Sequence, residues 1–362
     1  MGKRAPAVSS SSTSAPIPSE PGETPPARES VTVLAGGDIS FGRLIGQLLL
    51  RDPSRDFFKS IDPWLRSADI RFANLEGPLS DQHGETQSPD NVLVFTGPPS
   101  GAAALARSHW DVVSTANNHA WDYGPNALLE TLGHLNAAGV KHVGTGADLD
   151  AAWAPVVIDV GGIRVGFLAV TDIWNQGPLE SHPGSAFVAR ADRDRLVASI
   201  RALRTSGRVD TILVSQHGGV EYTDVPLVRG RELLRSAIDA GADAVIGHHP
   251  HVIQGVEWYH GKPILYSVGN LLMRMASGHQ WTEFGYLARL VISRQNSIRL
   301  ETCPFRIFGT EIRPLFGDSR RSTYEKLFFD HLQSISVVVG RTAIDPPGED
   351  GCAILHPAVR AH

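Results

Sequence analysis

At 362 residues the chain is long enough for one large α/β domain or two modest ones. Hydrophobic residues make up 42% of it, enough for a sizeable core, while a net charge of −5 leaves none of the basic footprint that nucleic-acid binding needs. Its two cysteines, Cys303 and Cys352, can pair in an oxidising compartment but form neither a disulfide scaffold nor a thiolate metal site.

The first thirty residues are rich in Ser and Pro and almost free of large apolar side chains, which reads as a disordered tail. Lys3 and Arg4 are not followed by the apolar run of a secretory signal, and no stretch has the roughly eighteen apolar residues of a membrane span. The expectation is a cytoplasmic protein with no membrane contact.

Val31–Ala35 reads as an apolar strand that runs into Gly36-Gly37-Asp38, followed by a helical pattern through Leu44, Ile45, Leu48 and Leu49. Asp38 is there either a helix N-cap or a carboxylate set at a sheet edge. Ala68–Asn74 is a second strand and closes on Glu76 before the Gly77-Pro78 break. The polar run Leu79–Pro99 is long for a compact domain and is taken as a substrate lid. Trp110–Thr115 is a third strand, and its exit carries Asn117, Asn118, His119 and Asp122, a capped turn or a polar cluster with a task. Helices follow at Leu128–Ala138, Leu196–Leu203 and Leu227–Ala240, with strands at Lys141–Gly144, Pro155–Asp159, Ile163–Val170 and Thr211–Ser215. The last of these strands runs into Gln216-His217-Gly218-Gly219-Val220-Glu221-Tyr222.

Ala244-Val245-Ile246 ends a buried strand, Gly247 breaks it, and His248, His249 and His251 follow within four positions. Such a turn delivers imidazoles to the carboxyl edge of a sheet, where α/β proteins place their sites. Pro250 stiffens it, and neutral imidazole is the commonest metal ligand. Lys262–Asn270 is a further strand, Phe284–Arg294 and Ser297–Arg306 an antiparallel pair, and Ser322–Ser334 a final helix. With no interior linker, residues 31–336 form one domain between a 1–30 tail and a 337–362 tail.

Five strands thus end in Asp38, Glu76, Asn117/Asn118/His119, His217 and His248/His249/His251, and ligands at the ends of strands on one sheet edge converge. Oxygen and imidazole donors without thiolate suit Mn²⁺, Fe²⁺ or Zn²⁺, and less readily Ca²⁺.

Read in order, GGDISFGR, NLEGPLS, TANNHAWDYG, QHGGVEY, GHHPHVIQGVE and YSVGN resemble the CapA (poly-γ-glutamate capsule synthesis) family over Val31 to Asn270. That family is similar to the calcineurin-like metallophosphatases. The resemblance implies a four-layer α/β/β/α sandwich with one or two divalent metal ions at one edge. It implies Asp38, Glu76, Asn118, His217, His249 and His251 as metal ligands, with His248 able to stand in for His249, and His119 as the acid/base. Two departures stand out. Ser40 occupies the place of a metallophosphatase histidine, leaving one metal position short of a ligand. Gly218 replaces the aromatic usual after the isolated histidine, which implies a roomier pocket beside His217.

The resemblance extends to soluble relatives that introduce D-residues into peptides of the lasso type. It implies metal-dependent epimerisation at a peptide Cα, with His119 and either His217 or Asp122 moving the proton, on a peptide delivered by a precursor-binding protein. The alternatives are metal-assisted hydrolysis of a phosphoester or amide, a role in poly-γ-glutamate synthesis, or a metal-stabilised protein that binds an acidic polymer.

Overall fold

The computed structural model describes residues 1–2, 28–175, 187–275, 278–316, 319–340 and 342–358. Most of the expected N-terminal tail lies outside the described residues.

The chain opens with β1 (Ser30–Ile39), α1 (Arg43–Arg51), α2 (Asp62–Arg66), β2 (Ile70–Leu75), α3 (Ser100–Arg107) and β3 (Val112–Ser114). Next come α4 (Gly124–Ala137), β4 (Lys141–Val143), α5 (Leu149–Trp153), β5 (Val156–Val160), β6 (Ile163–Thr171), α6 (Arg193–Thr205) and β7 (Thr211–His217). Then follow α7 (Val228–Ala240), β8 (Ala244–His248), β9 (Val256–Tyr259), β10 (Lys262–Leu265), β11 (Asn270–Leu272), β12 (Phe284–Ser293) and β13 (Ile298–Phe308). The C-terminal part holds β14 (Glu311–Pro314), α8 (Ser319–Val339), β15 (Thr342–Ile344) and β16 (Ala353–Pro357).

Two sheets form. The larger runs β15-β16-β13-β12-β1-β2-β3-β4, with β11 added to β1 and β14 to β13; the smaller runs β5-β6-β7-β8-β10-β9. Their facing sides share one core, in which Val33, Phe72 and Tyr286 of the larger sheet meet Phe167, Leu213 and Ile246 of the smaller. The outer face of the larger sheet buries Leu34 and Leu75 against Ile45 and Leu49 of α1 and Leu105 of α3. The outer face of the smaller buries Val214 and Val245 against Leu196 and Ile200 of α6 and Leu234 of α7. The result is the α/β/β/α sandwich. Its inner strands read as continuous apolar runs because both faces are covered.

Three differences from the sequence reading have physical causes. The donor-bearing strands belong to two sheets rather than one edge: β1, β2 and β3 to the larger, β7 and β8 to the smaller. The strand expected from Lys262 with its Gly-Asn exit is shorter, β10 pairing with β8, and the exit through Gly269 (φ +77°) carries the chain across to the larger sheet, where β11 pairs with β1. The described part of the expected 337–362 tail carries two strands. β16 pairs with β13, β15 pairs with β16, and a Cys303–Cys352 disulfide fastens that segment to the core. These short strands lack the long apolar alternation that marks a strand in sequence.

A candidate metal centre at the seam of the two sheets

Strand register sets the first contacts. In the larger sheet Asp38 pairs with Asn74 on one side and Asn270 on the other; in the smaller, His217 pairs with His248. Gly247, just before the histidines, is required: a Cβ there would overlap the Tyr266 carbonyl. His249 (φ +98°) and His251 (φ +58°) both take positive φ around Pro250. Non-glycine residues hold that conformation, at a cost of about 1–3 kcal/mol each, only where the surroundings impose it.

Asp38, Glu76, Asn118, His119, His217, His249 and His251 are all buried. Donor atoms of Asp38, Glu76 and His251 lie within 4.8 Å of one another. Glu76 is the telling member. It is 1% exposed, yet neither carboxylate oxygen has a hydrogen-bond partner, and its closest basic neighbours are His119 Nε2 and His251 Nε2, each 3.7 Å from Oε1. Burial and the nearby Asp38 push its pKa well above the usual carboxylate range. A buried ionised carboxylate without partners costs several kcal/mol unless it is protonated or meets a cation.

Burial also works against ionisation of Asp38, but the imidazoles of His248, His217 and His251 outweigh it and hold the pKa below the usual range. Asp38 Oδ1 accepts a hydrogen bond from Asn74 Nδ2 at 2.8 Å and lies 3.4 Å from His248 Nδ1, with no hydrogen-bond geometry at that histidine. His248 is fully buried and packs near Phe72.

Burial keeps His217, His249 and His251 neutral, with His249 pushed down to about 3, which is the state a metal ligand needs. Asn270 fixes the tautomer of His251. Its Nδ2 donates to the His251 and Thr282 carbonyls, so its Oδ1 accepts from His251 Nδ1–H at 2.9 Å and leaves Nε2 with a free lone pair. Asn270 was visible in the sequence only as the end of the YSVGN motif.

Glu221 is a second residue the sequence reading passed over. Its carboxylate forms a donor group with His249 and His251, again within 4.8 Å. It adds an exposed oxygen donor beside those two buried imidazoles. The QHGGVEY motif contained it, four residues beyond His217, but a turn residue after two glycines gives no periodic signal.

Asn118 Oδ1 and His217 Nε2 are 2.8 Å apart and hydrogen-bond to each other, while His217 Nδ1 accepts from Asn74 Nδ2 at 3.2 Å. His119 Nδ1–H donates to Asp122 Oδ2 at 2.8 Å, which leaves its Nε2 facing Glu76. Asp122 Oδ2 also accepts from the Phe95 backbone N–H at 2.9 Å, and the Phe95 ring lies 4.2 Å from the His119 imidazole. The Leu79–Pro99 segment therefore reaches the centre through Phe95.

The pocket expected at Gly218 is filled. A Cβ at 218 would overlap Asp172 Oδ1 and Gln216 Nε2, and those two groups hydrogen-bond to each other at 3.1 Å. The small residue makes room for a carboxylate, not for substrate.

Fold and site together define a two-sheet α/β/β/α protein with a cluster of carboxylates and imidazoles, suited to divalent cations, at the seam. The chain belongs to the bacterial capsule synthesis protein PGA_cap family, whose model matches residues 32–275. It is 30% identical over 286 residues to the PGA biosynthesis protein CapA of Bacillus subtilis, covering 78% of this chain and 73% of that protein. It is also 30% identical over 249 residues to the capsule biosynthesis protein CapA of Bacillus anthracis, covering 67% of this chain and 60% of that one. Among solved structures, the sulfate thiohydrolase SoxB of Thermus thermophilus aligns with a TM-score of 0.46 at 12% identity, over 89% of this chain and 63% of that one. Among the described residues no helix is long and apolar enough to cross a membrane.

Proposed function

We propose that the chain is a metal-dependent enzyme that epimerises a residue of a peptide, exchanging the proton at one Cα. The observation that carries this reading is the buried, unpartnered Glu76 carboxylate faced by the His119–Asp122 pair. Asp38, Glu76 and His251 would hold one divalent cation of the Mn²⁺, Fe²⁺ or Zn²⁺ kind, and His249 with Glu221 would serve a second; Asn118 and His217 would join it only where the cation displaces the hydrogen bond between them. A bound cation supplies Lewis acidity to a substrate carbonyl or carboxylate oxygen, favouring the charge that builds as the α-proton leaves.

In this reading Asp122 fixes the His119 tautomer, and His119 Nε2 takes the α-proton. Of the two groups considered for the opposite face, Asp122 is committed to His119, and His217 is bonded to amides on both ring nitrogens. We therefore assign delivery there to water at the exposed rim beside Glu221. A peptide substrate accords with relatives named for poly-γ-glutamate synthesis. Presentation by a precursor-binding protein and a lasso-type product remain part of the proposal. Because disulfides persist in oxidising compartments, the Cys303–Cys352 bond favours such a compartment over the cytoplasm in this reading.

Hydrolysis is the second reading, favoured by the Glu221 donor group, since paired cations suit in-line displacement. Incubation in D₂O with Mn²⁺, peptides and an aryl phosphate separates the two. Epimerisation places deuterium at one α-carbon with chain length unchanged. Aryl phosphate turnover without α-deuteration of any peptide would replace the first reading by the second.

A further inference from the structure

Arg43 belongs to none of the donor groups, yet the structure holds it tightly beside them. It has φ +55°, a left-handed conformation rare outside glycine and sustained by its surroundings. Its backbone N–H donates to the Thr86 carbonyl at 2.8 Å, and Thr86 Oγ1 donates to the Arg43 carbonyl at 2.9 Å. The guanidinium carbon lies 4.5 Å from the centre of the Phe95 ring, the same ring that packs on His119. Glu76, Asp122 and Glu221 are all near enough to act on its charge. Among the described residues its guanidinium makes one hydrogen bond, from Nη2 to the Val92 carbonyl at 3.1 Å. A guanidinium has five N–H donors, so most of its capacity is left for a ligand.

Arg43 also lines a cleft of about 340 Å³ with Ser40, Gln87, Met273, Arg274 and Met275. Met273, Arg274 and Met275 border a second cavity of about 160 Å³ that runs on past His279 and Thr282. The cleft starts two residues from Asp38, is walled by thioethers and carries two guanidinium groups. Methionine walls adapt to apolar side chains of varied shape, and a planar guanidinium pairs with a carboxylate through two parallel hydrogen bonds.

We propose that this cleft binds the substrate peptide, with Arg43 pairing a carboxylate of that peptide and Met273 and Met275 taking a neighbouring apolar side chain. Arg43 is then a specificity-determining residue that places the reacting carbon beside His119. The assignment rests on the peptide reading above and narrows it to carboxylate-bearing peptides.

The test uses Mn²⁺-loaded full-length protein and four acetylated tripeptides of Met and Leu. One has a free terminal carboxylate and one a terminal amide; two further amides carry a central Glu or Gln. Calorimetric binding is measured beside α-deuteration. Wild type should favour one carboxylate peptide over its neutral partner by about tenfold to a hundredfold, the range of a charge-assisted pair. The free terminus against the amide, and Glu against Gln, identify which carboxylate is read.

Arg43→Gly is the decisive variant, because glycine accepts φ +55° without strain. Its thermal stability and metal content should match or exceed wild type, while the preference for the carboxylate falls to within about twofold. Arg43→Lys should keep part of the preference, and Arg274→Gln should reduce it less. A preference that survives Arg43→Gly, equal binding of acids and amides, or no binding of any probe at millimolar concentration overturns the assignment. Arg43-dependent binding without α-deuteration would uphold the cleft and sink the epimerase reading alone.

Discussion

Two buried glutamates of this protein have opposite surroundings. Glu257, 5% exposed on β9, is bonded by Arg235 through Nε and Nη2 and by the Tyr266 hydroxyl at 2.5 Å. Buried Asp243 is similarly surrounded by Arg204, Lys262 at 2.9 Å, Asn296 Nδ2 at 2.6 Å and the Ile212 backbone N–H at 2.8 Å. Glu76 is as deeply buried and has none of this. Burial alone therefore does not mark a functional carboxylate. A satisfied acid fastens elements together, as Glu257 joins α7 to β9 and the end of β10, whereas an unsatisfied one among imidazoles is held ready for a cation.

The largest expected effect that sharpens this contrast is on chemistry. His119→Ala should lower α-proton exchange by about 10³-fold or more, because proton transfer is the reaction itself, with metal content unchanged by elemental analysis. His251→Ala should weaken cation binding by roughly a hundredfold in calorimetric titration; Asn270→Ala, which frees the His251 tautomer, should cost about tenfold. On stability, Glu257→Gln should destabilise the fold by about 1–3 kcal/mol in urea titration, with or without metal. Gly218→Ala should cost a comparable ~1–3 kcal/mol, since its methyl group meets Asp172 and Gln216 rather than open space. Smallest is Glu221→Gln, for which calorimetry should find one class of cation site weakened by less than about tenfold, since this donor is exposed, and the other intact. Two unaltered sites would remove Glu221 from the donor set.

Much of the site was legible because strand ends carry their own punctuation. The apolar runs ending at Asp38, Glu76, His217 and His248 located the donors without any knowledge of which sheet held them. What could not be read is what depends on contacts between distant segments. That the donors come from two sheets follows from the chain crossing between β10 and β11, a turn whose direction no local pattern encodes. The meaning of Gly218 reversed for the same reason. Its neighbour Asp172 lies 46 residues earlier in the chain and enters only when β6 pairs with β7. Arg43 was present in the GGDISFGR motif, but its place over Phe95 needs the Leu79–Pro99 segment folded against α1.

The central claim is that the unpartnered Glu76 is held for a cation. Its most direct test compares thermal unfolding of chelator-treated wild type, Glu76→Gln and Glu257→Gln with and without Mn²⁺. Ligand that binds only the folded state raises stability by mass action, so at about 100 times Kd wild type should gain ~2.7 kcal/mol. Glu257→Gln, though weaker at the outset, should gain as much. Glu76→Gln should be at least as stable as metal-free wild type, having lost a carboxyl group that folding must either bury charged or protonate, and should gain little from Mn²⁺. If Glu76→Gln instead unfolds earlier without metal and is stabilised by Mn²⁺ as fully as wild type, Glu76 is a structural residue and the account of the seam is wrong.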